Sequence, residues 1–507
     1  MAGLNRTALT ASQKIEFAAN ALARQEEHGA ISALSREFGV SRPTVYTAGE
    51  LAQEVLEHHF DERASGGDTP VMVKVDERQL RRAIVALRAM APNALRPIED
   101  MLPIIYPGVN PSFGKIQSIT AQAEARAGAF NAREDLSKIQ AGALDEMFSQ
   151  GDPVLGGVDL DSGYLFGLSL RQSRSAVDWA EVLAQSQAQG LELSIVVKDA
   201  ALGIEAGVRE VFPEAEQRDD CFHVLYELNK VRRQLEQRAY GAITREQEAE
   251  SKLQTIRAHD KLKRREQKRK LTQARRECQE AIARYEAFEA ALNKAREALE
   301  YIDLESGELR TAEQAKTLLE AAAEALQRID HTNSQKVGRY LRNRAPGLSL
   351  ATADLHTQLT ALFTRYPPIA VHLACLIWRL VDELQKHRRP WQSREQTRQL
   401  LGAFAWLKNL LDTKIDEVLE AVKTCLERRH RASSAIEGFN AALRPFLYVH
   451  KGVTQPFLEL FRAYYNLHTR RWGRHKGTSA HQCLSDSAVD DWLSLLGFPP
   501  SSAATVH

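Results

Sequence analysis

The spacing of hydrophobic residues changes along this chain, and the changes divide it. Residues 1–64 and about Glu77 to Ser149 space their apolar positions three and four apart, the period of amphipathic helices. Near Asp152 the pattern shifts to short apolar runs: Val154-Leu155-Gly156-Gly157-Val158, residues 164–170 behind a turn at Gly163, and Leu193-Ser194-Ile195-Val196-Val197-Lys198. Runs of this length bounded by turn formers predict buried strands. The reading is strands at 154–159, 164–170 and 193–198, helices at 175–189 and from about 203, and a short edge element at 215–219, with little sign of a further strand. Beyond His223 strand signals fade, and residues 224–425, rich in Ala, Glu, Gln, Arg and Lys, predict long helices with a hairpin among them. Amphipathic helices follow around Glu437 and from Pro456 to His468, and the last fifteen residues read as a frayed terminus. The expected divisions are 1–64, 71–150, 152–223, 224–425, 426–480 and 481–507.

The first division carries a helix-turn-helix pattern over Ile31 to Tyr46. Ala33 and Leu34 pack one helix, Gly39 permits a tight turn, Ser41 caps the next helix and Val45 returns to the core. Ser41, Arg42, Thr44 and Tyr46 are then free to face DNA. A Ser-Gly-Gly-Asp-Thr-Pro linker follows at 65–70. The second division repeats the logic loosely around Gly108 and Ser112 and reads equally well as a helical spacer.

A chain of 507 residues exceeds one ordinary core, which implies three or four domains. The net charge of +1 conceals local asymmetry. Ten Lys or Arg stand against two acids between Arg257 and Arg276, and further clusters lie at Arg428-Arg429-His430-Arg431 and Arg470-Arg471-Trp472-Gly473-Arg474-His475-Lys476. Such patches neutralise phosphates, or form solvated helix faces. Tyr464 and Tyr465 read as core rather than base-stacking groups. The five cysteines have no paired spacing, which argues against zinc fingers and a disulfide framework. There is no signal-peptide core, and the longest apolar stretch, 369–378, is too short for a bilayer. A soluble cytoplasmic protein is expected.

Three acids far apart in sequence suit metal-bound phosphate chemistry. Asp159 ends one apolar run, Asp199 ends another, and Glu437 sits in an amphipathic helix where Ile436, Phe439, Leu443 and Leu447 make the apolar face and Glu437, Asn440 and Arg444 a polar one. Hard Mg²⁺ favours carboxylate oxygens, and two ions about 4 Å apart stabilise both the attacking and the leaving oxygen of an in-line displacement. Asp161 is an alternative to Asp159, since alternation places both on one face. Strand ends also favour Asp merely as a turn former.

Three strings resemble DDE transposases with a ribonuclease H-like core, especially Mutator-like and related bacterial insertion-sequence enzymes. They are Val197-Lys198-Asp199-Ala200-Ala201-Leu202-Gly203-Ile204, Arg218-Asp219-Asp220-Cys221-Phe222-His223, and the Glu437 helix. Asp220 and His223 match that group's Cys/Asp-x-x-His signature, with Asp219 the alternative in another register. The resemblance implies an α/β ribonuclease H-like core interrupted by a large all-α insertion and preceded by a helix-turn-helix region. It further implies two Mg²⁺ ions, with Mn²⁺ able to substitute, held by Asp159, Asp199 and Glu437, with Asp220 and His223 in support beside the scissile phosphate. Double-stranded DNA, as element ends and target, is the implied partner, met also by Arg444, Arg470, Arg471 and Arg474. A homodimer or higher homo-oligomer near the bacterial nucleoid completes the picture. A silent DNA-binding regulator and a structure-specific nuclease remain the alternatives.

Overall fold

The computed structural model describes residues 11–24, 27, 29–60, 75–199, 201–386, 394–430, 434–448 and 452–501. The 65–70 linker, Ala200, Arg431, Ser433, residues 449–451 and the final six residues, on which sequence expectations also fell, lie outside them. The chain divides into two units between Val75 and Asp76.

In the first unit, helices α1 (Ala11–Ala23), α2 (Ala30–Glu37) and α3 (Arg42–Phe60) enclose Phe17, Ala21, Leu34 and Val45. Gly39 turns the chain between α2 and α3 at φ 65°, a conformation that favours glycine. The Ser41 hydroxyl accepts from the Thr44 amide at 3.4 Å, as a helix cap should.

The second unit begins with α4 (Glu77–Met90), α5 (Leu95–Ile105) and α6 (Phe113–Asn131). A five-stranded sheet follows, built from β1 (Ala141–Ser149), β2 (Asp152–Asp159), β3 (Leu165–Leu170), β4 (Ile195–Lys198) and β5 (Glu216–Asp219). Helices α7 (Ala176–Gln187) and α8 (Leu202–Val211) flank β4 in sequence. The strand order is β3-β2-β1-β4-β5. Strands β1, β2 and β3 form an antiparallel meander, whereas β1, β4 and β5 run parallel. This mixed sheet is compatible with the ribonuclease H-like core expected.

Strand β1 corrects the sequence reading, which placed residues 141–149 in a helical unit. Its Ala-Gly-Ala-Leu-Asp-Glu-Met-Phe-Ser run contains poor strand formers. Pairing with β2 on one side and β4 on the other makes it the central strand regardless of local propensity.

Alternation gives each face of the sheet its own core. Ala141, Ala143, Met147, Val154, Val158 and Val197 point toward α16 (Ser434–Leu447) and α17 (Gln455–Leu467). Leu144, Leu155, Phe166 and Val196 face Trp179 and Leu183 of α7 and Ile204 and Val208 of α8. Two adjacent glycines in β2 keep both faces flat. A Cβ on Gly156 would approach the Phe439 ring of α16 to 3.0 Å, and one on Gly157 would meet the buried Phe166 ring. Gly157→Ala is therefore expected to destabilise the protein by about 1–3 kcal/mol through overpacking. A fall in the denaturant midpoint at unchanged slope would register it, and an unchanged midpoint would show that the ring yields freely.

Between β5 and α16 the described chain is helical apart from one isolated bridge, Ile302 with Leu309. Helices α9 (Cys221–Thr255) and α10 (Lys261–Ala298) form an antiparallel hairpin, as Arg296 to Asn229 and Arg275 to Glu250, both at 2.9 Å, demonstrate. Helices α11 (Ala312–Arg328) and α12 (Thr332–Ala361) pack with it around Leu228, Leu292, Leu319 and Leu341. Helices α13 (Pro368–Lys386), α14 (Arg394–Leu411) and α15 (Ile415–Glu427) share a further core around Ala374, Leu407 and Val418.

Two other expectations change. The core of α4–α6 is continuous with Leu460, Ala463 and Leu467 of α17, so these helices are no separate layer. The same core buries Leu493, Leu496 and Phe498, and Arg82 holds Asp491 at 2.7 Å, so the described part of the stretch expected to fray is packed as far as Phe498.

Candidate active site

The register of the sheet collects the chemistry. Leu144 of β1 pairs with Lys198 of β4, and Lys198 pairs with Asp219 of β5. One residue further along each strand, Asp145, Asp199 and Asp220 therefore stand in a row at the carboxyl ends of β4 and β5. Asp145 follows Ala141 and Ala143 at alternate positions, and so points to the face covered by α16. Helix α16 is seated there by Ile436, Phe439 and Leu443, which turns Glu437 and Asn440 toward the row. It continues through Pro445 to Leu447 rather than stopping at the proline.

Ligand atoms of Asp145, His223 and Glu437 lie within 4.8 Å of one another. The Asn440 amide donates to Asp145 Oδ2 at 2.7 Å, and the Glu146 backbone N–H donates to Oδ1 at 2.8 Å. Asp220, fully buried, caps α9 by accepting from the Phe222 amide and holds His223 Nδ1 at 2.6 Å. The other ring nitrogen, Nε2, is 3.6 Å from Glu437. Asp199 lies outside this tight group of three; its Oδ1 accepts from the Ala201 amide at 2.8 Å.

The charges are strained in a way that fits a cation. Burial pushes the Asp145 carboxyl up to about 6, with the Asp199 charge adding to the rise against hydrogen bonds that lower it. His223 is pushed up to about 9, first by its hydrogen bond to Asp220 and further by the charges of Asp220, Asp145 and Glu437. Half-buried carboxylates from three elements form an oxygen-rich donor set of the kind Mg²⁺ and Mn²⁺ take. A proton competes with a cation for Asp145 below about pH 6. Millimolar Mg²⁺ is accordingly expected to raise the melting temperature by roughly 1–2 °C at pH 7.5, since a tenfold excess over Kd stabilises by about 1.4 kcal/mol. The rise should shrink at pH 5 and disappear in Asp145→Asn; an equal rise in that variant would remove Asp145 from the site.

Asp159, the sequence candidate for the first carboxylate, is elsewhere. It pairs with Gly142, three residues before Asp145 on β1, and this odd offset places it on the opposite face. Its Oδ2 accepts from the Ser162 amide at 2.8 Å and from the Ser162 hydroxyl, closing the β2–β3 turn. Asp161 sits in that turn rather than in a strand, half exposed, 3.6 Å from His430. Asp219 is tied to Arg344 at 2.9 Å, leaving Asp220 as the neighbour of His223. Asp145 went unnoticed because its strand did. The available signal was an acid interrupting alternate apolar positions, Ala141, Ala143 and Met147.

The arginines divide as well. Arg444 is exposed on α16 one turn beyond Asn440, and Arg471 and Arg474 are exposed. Arg470 instead donates to the carbonyls of Ser162 and Gly163 at 3.0 and 2.9 Å, which fixes it to the β2–β3 turn. In the first unit Ser41, Arg42, Thr44 and Tyr46 are exposed at the start of α3.

Residues 158–357 match the model of a family described as transposase. The match spans Asp199, Asp220 and His223, begins after Asp145 and ends before Glu437. No curated protein matches the chain. Among solved structures, the Drosophila P element transposase strand transfer complex aligns at 12% identity over 82% of this chain and 97% of that one, with a TM-score of 0.27, too loose a likeness to carry weight. No helix among the described residues is long and apolar enough to cross a membrane.

Proposed function

We propose that the chain is a DNA transposase whose metal ligands are Asp145, Asp199 and Glu437, with Asp145 taking the place the sequence suggested for Asp159. The observation that carries this reading is the convergence of Asp145, Glu437 and the Asp220–His223 pair within one face of the sheet. The match of residues 158–357 to a transposase family supports it.

When bound, a pair of Mg²⁺ or Mn²⁺ ions would supply Lewis-acid stabilisation of the attacking and leaving oxygens. The protein does the rest. Asn440 holds Asp145 in its ligating orientation, and Asp220 fixes the His223 ring so that Nε2–H faces the reaction centre. Water attacks the scissile phosphorus in line and loses a proton to solvent, the P–O3′ bond breaks, and His223 gives the Nε2 proton to the departing 3′ oxygen, leaving a 5′-phosphate and a free 3′-hydroxyl. That hydroxyl then loses its proton and attacks a target phosphorus, whose bond to its own 3′ oxygen breaks as that oxygen leaves and takes up a proton, without a covalent protein intermediate. Arg444 meets phosphate beside the site, Arg471 and Arg474 meet it further along, and Ser41, Arg42, Thr44 and Tyr46 read duplex ends. Synapsis of two ends requires at least a dimer.

The test is product analysis with Mg²⁺ and a labelled duplex carrying the regions that flank the protein's own gene. Metal-dependent cuts at a repeat followed by joined products support a transposase. Cuts without joining favour a nuclease, and binding without cutting favours a regulator. Removing residues 1–60 should weaken end binding by at least tenfold, and undiminished binding would sink the role given to Ser41, Arg42, Thr44 and Tyr46.

A further inference from the structure

The α9–α10 hairpin joins the candidate active site to a distant basic surface. Helix α9 begins at Cys221, beside Asp220 and His223, and runs for 35 residues, about 50 Å at 1.5 Å per residue. Its inner two thirds pack on α10 and its neighbours through Val224, Leu228, Val231 and Leu235. The outer third is fastened by polar contacts instead: Arg275 to Glu250 at 2.9 Å, Gln267 to the Ala249 carbonyl at 2.9 Å and Arg264 to the Ile256 carbonyl at 3.1 Å. These contacts hold the tip as a defined element at a fixed distance from the site.

Cations are densest at that tip: ten Lys or Arg stand against two acids between Arg257 and Arg276, and the two acids take up Lys263, at 3.3 Å from Asp260, and Lys270, at 2.7 Å from Glu266. Lys230, Arg232, Lys270 and Arg276 each meet a glutamate on their own helix. Arg257, Lys261, Arg265, Lys268 and Arg269 are exposed and have no ion-pair partner among the described residues. Lys261, Arg265, Lys268 and Arg269 follow the i, i+4, i+7, i+8 spacing of one helix face, flanking the side on which Leu271 and Cys278 are buried. They make an unpaired cationic stripe about 12 Å long. Like charges at i, i+4 spacing repel one another on an isolated helix, a cost that a phosphate backbone laid along the stripe would remove.

We propose that this stripe is a second DNA-contacting site, and that α9 acts as a ruler setting it on the phosphate backbone about fifteen base pairs from the scissile position, at 3.4 Å per base pair. The assignment rests on duplex DNA being the substrate of the Asp145 site. Backbone contact at that distance would add affinity and orientation without reading sequence.

The experiment is hydroxyl-radical footprinting of the full chain in EDTA on a duplex carrying the regions that flank its gene, with the Arg265→Ala/Lys268→Ala/Arg269→Ala variant alongside. Alanine keeps the helix, and circular dichroism verifies it. Wild type is expected to protect a window at the scissile position and a distal window about fifteen base pairs from it, besides the window of the duplex-end contacts made by Ser41, Arg42, Thr44 and Tyr46. The variant is expected to lose the distal window alone and to flatten the slope of log affinity against log salt by about 3, near 0.9 per phosphate. Unchanged windows and slope in the variant would overturn the arm's role while leaving the DNA reading intact. No protection by the wild type would overturn the reading beneath it and this inference together.

Discussion

Asp145→Asn is expected to lower metal-dependent strand cleavage at least about 10³-fold, the equivalent of roughly 4 kcal/mol of transition-state stabilisation, while DNA binding stays within a few-fold. The substitution keeps the size of the side chain and an acceptor for the Glu146 amide, but removes the charge that a cation needs. Asp159→Asn supplies the contrast. Asp159 closes a turn through Ser162 on the opposite face of the sheet, so its loss should cost about 1 kcal/mol of stability and leave cleavage nearly intact. Parallel cleavage assays on the two variants decide between the positions. Full activity in Asp145→Asn with none in Asp159→Asn would reverse the assignment.

The second large effect concerns the Asp220–His223 pair. Asp220→Asn should reduce cleavage about 10²–10⁴-fold, because His223 then lacks both the group that orients it and the main cause of its raised affinity for a proton. The sign of the accompanying stability change follows from the direction of the shift. A histidine whose folded-state value lies at about 9, above its ordinary 6.5, contributes stability that is complete below pH 6.5 and is lost as pH rises through 9. Asp220→Asn in metal-free buffer should therefore destabilise the protein most at pH 6 and least at pH 9.5. Urea unfolding at the two pH values measures this, and a loss that grew with pH would mean that the pair does not hold a proton. Reduced cleavage with an unchanged pH dependence would indicate a purely structural role.

Much of the core was legible in the sequence because its strands obey local rules. Strands β2, β3, β4 and β5 occur close to where apolar runs and turn formers place them, and α16 presents Glu437 and Asn440 as its periodicity predicts. The Asp220-x-x-His223 spacing puts both residues on the first turn of α9, where the geometry brings them together. What escaped was the strand defined by its neighbours. Residues 141–149 have weak strand propensity and become central only because β2 and β4 pair with them, and Asp145 was lost along with that strand. The choice of Asp159 followed directly: with β2 taken for the first strand, the strand-end acid in view was Asp159, which lies on the face opposite Asp145. Residues 493–498 escaped for a similar reason: Leu493 and Phe498 look unremarkable beside two prolines until α4 and α6 supply the core that receives them.

The most direct test of the metal-site account is metal rescue at Asp145. A thiolate is a poor ligand for Mg²⁺ and a better one for a softer ion such as Mn²⁺. Asp145→Cys should be inactive with Mg²⁺ and regain measurable cleavage with Mn²⁺, whereas Asp159→Cys should cleave with either ion. Wild-type cleavage by Asp145→Cys in Mg²⁺ would contradict the placement of a metal ion on this residue.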